Sequence, residues 1–344
     1  VVSASHNPWT DNGIKIFNRK GHKLSIDQEA GLEKLILDPA ALQARDGTVT
    51  GRVFQLMDAD EPYIQCLSNI ASPGSLSLVV DCANGAAARV ASRLFPEARV
   101  LFADPDGRNI NHGCGSEHIE PLCAEVKAGG ADAGFAFDGD ADRLIAVDET
   151  GAPVTGDRIL AICARFMKQE GLLKNNTVVS TVMSNAGLSL ALKEMNIRHV
   201  VTDVGDRHVM EAMLTHGACL GGEDSGHIVF TDYQTTGDGL LTALMLCRIM
   251  LQTGKPLSAL AASMKVFPQV LINVTVTRKP ELAGVPEITR AISEVEAGLG
   301  GQGRVLVRYS GTQPICRVMV EGPSEAETRR CADQIAEAVR KSLG

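Results

Sequence analysis

Between residues 76 and 251 the chain alternates short apolar runs with helix-length segments, and that alternation most restricts its fold. Residues 76–80, 99–102, 133–137, 144–147, 177–181, 199–202 and 228–230 read as strands. Helical stretches near 120–127, 159–169, 188–195, 207–214 and 240–251 lie among them, and an Ala-rich stretch after Gly85 predicts another helix. Strand and helix in turn predict doubly wound α/β units with mixed sheets. After residue 268 the order changes to strand (269–277), helix (287–298), two strands (304–307 and 317–320) and a last helix opening at Ser324 with Glu327 as capping partner. That order predicts a small C-terminal α+β domain.

Before residue 58 the signals are weaker. Asp11-Asn12-Gly13 marks a turn, residues 14–17 and 22–24 read as short strands, and Ser25-x-x-Gln28 reads as a capping box opening a helix to about Leu37. Val1-Val2-Ser3 has no initiator Met and reads as the end of a strand, which cannot satisfy its own backbone groups. The expectation is a piece of a longer protein whose first domain is incomplete. At 344 residues the chain exceeds one ordinary core. The predicted division is 1–57, the remainder of an α/β domain; 58–152 and 153–267, two further α/β domains; and 268–344, the α+β domain. No fixed-period repeat is present.

Composition narrows the function. The formal charge of −8 argues against nucleic acid or an anionic membrane as partner, while leaving room for a local basic pocket that holds phosphate. No apolar run is long enough to span a bilayer. Nine cysteines without a C-x-x-C pair read as reduced, buried thiols in a cytoplasmic protein.

Four stretches carry the chemistry. Asp138, Asp140 and Asp142 follow an apolar strand, and alternation in an extended segment would put all three carboxylates on one side. Like charges so close call for a cation, and an all-oxygen set suits Mg²⁺ better than a solvated acidic turn explains it. Arg143 follows at once. Ser5, in Ser3-Ala4-Ser5-His6-Asn7-Pro8, reads either as a nucleophile or as a turn residue; His6 and Lys15 are near enough in sequence to supply a base or a cation. Glu223 and Ser225 suit adjacent sugar hydroxyls, and His227 reads as an acid or base or as a buried, hydrogen-bonded histidine. The loop 202–207, with Asp206 and Arg207, either touches a ligand or simply caps a helix. Arg308, Ser310, Gly311, Thr312 and Arg317 bracket a tight loop that fits a phosphate or is a solvated hairpin.

In combination, S-A-S-H-N-P, D-G-D-A-D-R, G-E-D-S-G-H and R-Y-S-G-T-Q-P resemble, in the same order, the motifs of the α-D-phosphohexomutase superfamily. V-D-C-A-N-G-A-A (80–87), N-I-N-H-G-C-G-S (109–116) and T-D-V-G-D-R (202–207) are similar to its bacterial phosphoglucosamine mutase branch. The resemblance spans the chain. It implies that Ser5 is a phosphoserine whose phosphate joins Asp138, Asp140 and Asp142 in holding Mg²⁺. Arg143 would lie beside that phosphate, and Lys15 and His227 would be acid–base candidates. Glu223 and Ser225 would bind sugar hydroxyls, and Arg308, Ser310, Thr312 and Arg317 the non-reacting phosphate.

The implied reaction interconverts glucosamine 6-phosphate and glucosamine 1-phosphate, feeding UDP-N-acetylglucosamine and cell-wall synthesis. A sugar 1,6-bisphosphate would be both intermediate and activator. The expected partner is a small hexose phosphate, and the expected assembly a monomer or homodimer. Three alternatives stand beside this reading: a glucose or mannose phosphomutase of the same mechanism, a metal-dependent phosphatase with an aspartate nucleophile, and a non-catalytic sugar-phosphate-binding fragment.

Overall fold

The structure is a computed structural model that describes residues 1–40, 52, 54, 56–310 and 313–344. Two compact units emerge: residues 1–183 with 195–263, and residues 184–194 with 264–344.

In the first unit, β1 (Val2–Ser3) pairs antiparallel with β2 (Gly13–Ile14), and α1 (Ile26–Leu37) follows. The Ser25–Gln28 capping box is formed in both directions. The expected strands at 14–17 and 22–24 shrink to β2 and a single bridge between Phe17 and Lys23. The physical reason is burial: among the described side chains of residues 1–40 only Ala4 is buried, so an isolated ribbon has no covered face to lengthen it.

A mixed sheet follows. Its elements are α2 (Glu61–Ile70), β3 (Leu78–Asp81), α3 (Ala91–Leu94), β4 (Arg99–Leu101), α4 (Glu120–Gly129), β5 (Ala133–Phe137), β6 (Leu144–Asp148) and β7 (Pro153–Val154). The strand order is β4-β3-β5-β6-β7, with β3 parallel to β4 and β5, and β6 antiparallel to both neighbours. Every residue of β5 and β6 is buried, and all but Asp148 are apolar or glycine, so these strands do not alternate. The helix expected after Gly85 is broken into a 3-10 turn (Ala86–Arg89) and the short α3. Ala83 and Asn84 take left-handed φ values, and the Ala86 N–H donates to the Gly139 carbonyl at 2.8 Å, which pins this turn to the loop after β5.

Next come α5 (Gly156–Gln169), β8 (Thr177–Thr181), α6 (Ala186–Glu194), β9 (Arg198–Thr202), α7 (Asp206–His216), β10 (Leu220–Gly222), β11 (Ile228–Phe230), α8 (Gly239–Thr253) and α9 (Leu257–Ala261). The sheet β11-β10-β8-β9 is parallel except for the β10–β11 hairpin. Helix α8 is buried on nearly every face because it packs against β5, β6 and α5.

The second unit holds the antiparallel sheet β12 (Gln269–Thr275), β14 (Ile315–Glu321) and β13 (Arg304–Tyr309), with α10 (Pro286–Leu299) and α11 (Glu325–Leu343) over one face. Strand β12 alternates buried and open positions, as a sheet covered on one side requires. The Ser324 hydroxyl caps α11 by accepting from Glu327 N–H. Helix α6 packs here although its neighbours in sequence lie in the first unit. Its first N–H, of Ala186, donates to the buried Glu321 carboxylate at 2.8 Å, and Arg304 Nε donates to the same carboxylate at 2.9 Å. A helix N-terminus and a guanidinium together offset that buried charge.

All nine cysteines are free thiols. Burial pushes those of Cys82, Cys163 and Cys247 up to about 12, which leaves them unreactive. Among the described residues no helix is long and apolar enough to cross a membrane.

Candidate active site

The three aspartates converge, but not by strand alternation. Strand β5 ends at Phe137, and Asp138–Asp142 form a turn in which Ala141 has φ +61°. That left-handed residue folds the loop back so that one oxygen from each carboxylate lies within 4.8 Å of the others. Asp138 is fully buried; desolvation, then the charges of Asp142 and Asp140, push its carboxyl up to about 7. Burial alone would raise Asp142 too, but His227 and Lys15 hold it well below the ordinary range. Asp140 Oδ1 is buried with no hydrogen-bond partner among the described residues. Crowded carboxylates with an unsatisfied buried oxygen are the donor set a hard divalent cation takes, and the residues fit Mg²⁺.

Ser5 sits on this cluster. Its φ is +52°, and its Oγ donates to Asp138 Oδ2 at 3.1 Å and lies 3.4 Å from His6 Nδ1. Ser3 links the two loops: its Oγ accepts from Ser5 N–H at 2.8 Å and donates to Asp140 Oδ2 at 2.7 Å. Lys15 Nζ donates to Asp140 and, at 3.1 Å, to Asp142. Burial pulls the Lys15 pKa down, but these two carboxylates outweigh it and raise the value, so the group is an ammonium ion. The Arg143 backbone N–H donates to Asp138 Oδ1 at 3.1 Å. Arg143 Nε stands 4.0 Å from both Asp138 and Asp142, buried and without a hydrogen-bond partner among the described residues, so the guanidinium is placed to take an anion.

Glu223 to His227 form the tip of the β10–β11 hairpin. Glu223 Oε1 accepts from Gly205 N–H at 3.1 Å, which joins the hairpin to the start of α7. Asp224 turns away, accepting from Asp157 N–H at the start of α5. Gly226 has φ +91°, and a Cβ there would meet the Leu144 carbonyl at 2.1 Å, so only glycine lets the hairpin reach β6. His227 is buried. Its Nε2 accepts from Gly237 N–H at 3.2 Å, which puts the proton on Nδ1, 3.5 Å from Asp142 Oδ1. Asp206 pairs with Lys23 and lies 3.8 Å from His227 Nε2; burial raises its carboxyl, yet Lys23 brings it below the ordinary value. Arg207 pairs with Glu29 at 2.5 Å.

A cleft of about 440 Å³ is lined by Lys23, Asp206, Arg207 and His227. A neighbouring one of about 380 Å³ is lined by Lys15, Asp140, Asp142 and Asp238. Both include Phe17, Lys23 and Thr236, so the aspartate loop and the β10–β11 hairpin border adjoining space. Residues 1–58 held no sequence signal for Lys23, which tertiary packing alone brings to Asp206. Tyr63 was likewise missed: its hydroxyl contacts both oxygens of Asp238 at 3.0 Å, and Asp238 caps α8 beside the metal loop.

In the second unit Arg308 and Arg317 are direct partners across β13 and β14. Ser310 is buried; its Oγ accepts from Gln313 N–H at 3.3 Å, and its carbonyl accepts from Lys279 Nζ at 2.7 Å. Lys279 is thus a third cation at this loop, too distant in sequence to be foreseen. Gly311 and Thr312 lie outside the described residues.

Family models match in series: phosphoglucomutase/phosphomannomutase α/β/α domain I at residues 1–42, domain II at 61–151, domain III at 155–267, and the C-terminal domain at 271–338. The phosphoglucosamine mutase of Syntrophus aciditrophicus (strain SB) is 52% identical, covering 100% of this chain and 79% of its own length. That of Geobacillus thermodenitrificans (strain NG80-2) is 50% identical, with 100% and 78% covered. A phosphoglucomutase/phosphomannomutase family protein from Burkholderia thailandensis has a similar structure, with TM-score 0.77, 28% identity, and 99% and 75% covered. At 21% identity, the Aspergillus fumigatus N-acetylphosphoglucosamine mutase solved with GlcNAc-6P and magnesium shares the fold, with TM-score 0.78 and coverage of 99% and 88%. The chain belongs to the phosphoglucomutase/phosphomannomutase family of phosphohexomutases and is phosphoglucosamine-mutase-like within it.

Proposed function

We propose that this chain interconverts glucosamine 6-phosphate and glucosamine 1-phosphate, with Ser5 as the residue that carries the phosphoryl group. The observation that carries the reading is Ser5 Oγ lying 3.1 Å from Asp138, inside a cluster of three carboxylates and two cations. In the forward half-reaction the sugar O1 attacks the phosphorus of phospho-Ser5, the P–Oγ bond breaks, and the hydroxyl proton leaves to a base. The product is the 1,6-bisphosphate. After it turns end for end, Ser5 Oγ attacks the 6-phosphoryl group, glucosamine 1-phosphate departs, and the phosphoserine is restored.

Phosphoryl transfer is mainly positioning and charge stabilisation, and the residues divide that work. Asp138, Asp140 and Asp142 would hold Mg²⁺, which when bound neutralises charge on the transferring group. Arg143 and Lys15 add fixed positive charge beside Ser5. His227 keeps its Nδ1 proton toward Asp142 and, with Lys15, remains an acid–base candidate. Glu223, Ser225, Asp206 and Arg207 would orient the sugar. Arg308, Ser310, Gly311, Thr312 and Arg317, joined by Lys279, would hold the phosphate that is not transferred. A cytoplasmic setting accords with nine free thiols and with the bacterial relatives.

The test is conversion of glucosamine 6-phosphate with Mg²⁺ and a catalytic amount of glucose 1,6-bisphosphate, beside glucose and mannose 6-phosphates. Preferred turnover of the amino sugar, abolished in Ser5→Ala, is the expected result. Preference for another hexose overturns the substrate and keeps the mechanism. Full activity in Ser5→Ala overturns the mechanism.

A further inference from the structure

The conformation of Ser5 is only partly supported by its own segment, where its N–H donates to Ser3 Oγ at 2.8 Å. It stands at φ +52°, where a β-carbon is strained, two residues after a two-residue strand. Something else must help to hold it. Two N–H donors reach the Ser5 carbonyl: Gly139 N–H at 2.9 Å and Asn111 Nδ2 at 2.8 Å. Asn111 Nδ2 also donates to the Asn7 carbonyl at 2.8 Å. Both of these neighbours are carbonyl oxygens and can only accept, so the amide orientation is decided by its partners. One primary amide therefore spends both hydrogens on carbonyls two residues apart and braces the loop on either side of His6.

Asn111 is itself built to do this. It is 8% exposed, adopts φ +59°, and its backbone N–H donates to the Ala83 carbonyl at 2.9 Å. The loop that carries it is stiffened by Asp106, whose carboxylate accepts from the backbone N–H groups of Arg108 and Asn109. Farther along, Gly115 N–H donates to the buried Asp81. A second grip on the serine segment comes from the same loop: the Arg108 guanidinium lies over the Trp9 ring at 5.5 Å.

We propose that Asn111 is a positioning residue for phosphoryl transfer, holding Ser5 in its left-handed conformation so that Oγ stays on the metal loop. The proposal rests on Ser5 as the phosphoryl carrier. Its chemical content is specific. Both donors of Asn111 serve carbonyl oxygens, so an isosteric carboxylate reverses the interaction and repels the loop. Asn111 contacts none of the three aspartates' carboxylates, so metal affinity is a separate quantity.

The experiment is single-turnover phosphorylation of the dephosphorylated chain by glucose 1,6-bisphosphate, followed by intact mass, with Mg²⁺ affinity measured by calorimetry. Asn111→Asp and Asn111→Ala are expected to slow the transfer by about 100-fold, the cost of misplacing a reacting group by about 1 Å, with Mg²⁺ affinity unchanged. Arg108→Ala, at an exposed site, is expected to slow it by only a few-fold and serves if the Asn111 variants fold poorly. Wild-type transfer rates in the Asn111 variants overturn the proposal. So does parallel loss of Mg²⁺ affinity, which marks a general structural role. If the unmodified chain itself gains no phosphoryl group at Ser5, the carrier assignment fails, and the proposal falls with it. Phosphorylation without amino-sugar turnover overturns only the substrate and leaves this proposal supported.

Discussion

The serine loop and the metal loop meet at Ser5 and Asp138, yet they are made in opposite ways. The metal loop joins β5 and β6, ten paired residues that are all buried. The serine loop joins two-residue strands whose Val2 and Ile14 are mostly exposed. Each loop contains one left-handed residue without glycine's freedom, Ala141 and Ser5. The core around β5 and β6 imposes the first. The second is held by Asn111 and Gly139, far away in sequence, together with the nearby Ser3 hydroxyl. The difference teaches that a residue proposed to react can sit on a weakly packed segment when the rigid part of the molecule reaches out to hold it.

Four predictions probe this contrast, the largest first. Asp140→Asn removes a carboxylate on which Ser3 and Lys15 both converge. Mutase activity should fall by about 100-fold or more, with the Mg²⁺ half-saturation point raised; an unchanged Mg²⁺ titration would refute the metal assignment.

Leu144→Ala, at the fully buried start of β6, should cost about 2–5 kcal/mol in urea unfolding. Leu35→Ala in α1, where the side chain is 57% exposed, should change stability by less than about 0.5 kcal/mol. Equal losses would show that the N-terminal segment is packed after all.

Glycine substitutions sharpen the same point. A Cβ at Gly139 would meet the Ser5 carbonyl oxygen at 2.5 Å and Asn111 Nδ2 at 3.0 Å, while one at Gly31 meets nothing within 4 Å. Gly139→Ala should cost about 1–3 kcal/mol and displace the serine loop, with activity lost beyond what stability explains. Gly31→Ala, inside α1, should instead stabilise by up to about 1 kcal/mol in thermal unfolding. A neutral Gly139→Ala would mean the two loops are free to separate.

The smallest effect concerns pH. Lys23 lowers the carboxyl of Asp206 against the opposing effect of burial. A depressed folded-state value gives stability that is complete above the ordinary value of about 3.9 and is lost as pH falls through the folded value. The pair is partly exposed, so about 1 kcal/mol or less is at stake. Asp206→Asn should flatten that part of the acid-unfolding curve, and an unaltered curve would show that Lys23 contributes nothing there.

The sequence alone determined much of this protein. Apolar runs covered on both faces announced β5 and β6, because a strand buried on each side has few polar positions to disguise it. The Ser25 and Ser324 caps are local chemistry and were legible for that reason. So were the four ordered motifs, since a hydroxyl, a carboxylate triad and paired arginines announce their chemistry in the residues themselves. Alternation, by contrast, was the wrong geometry for Asp138–Asp142. A turn can fold back only against neighbours, and those neighbours lie far away in sequence. The broken helix after Gly85, Lys23 against Asp206, the packing of α6 with Glu321, and the grip of Asn111 on Ser5 were decided by tertiary structure. Each joins groups tens to more than a hundred residues apart, where local propensity is silent and only the packed core sets the distance.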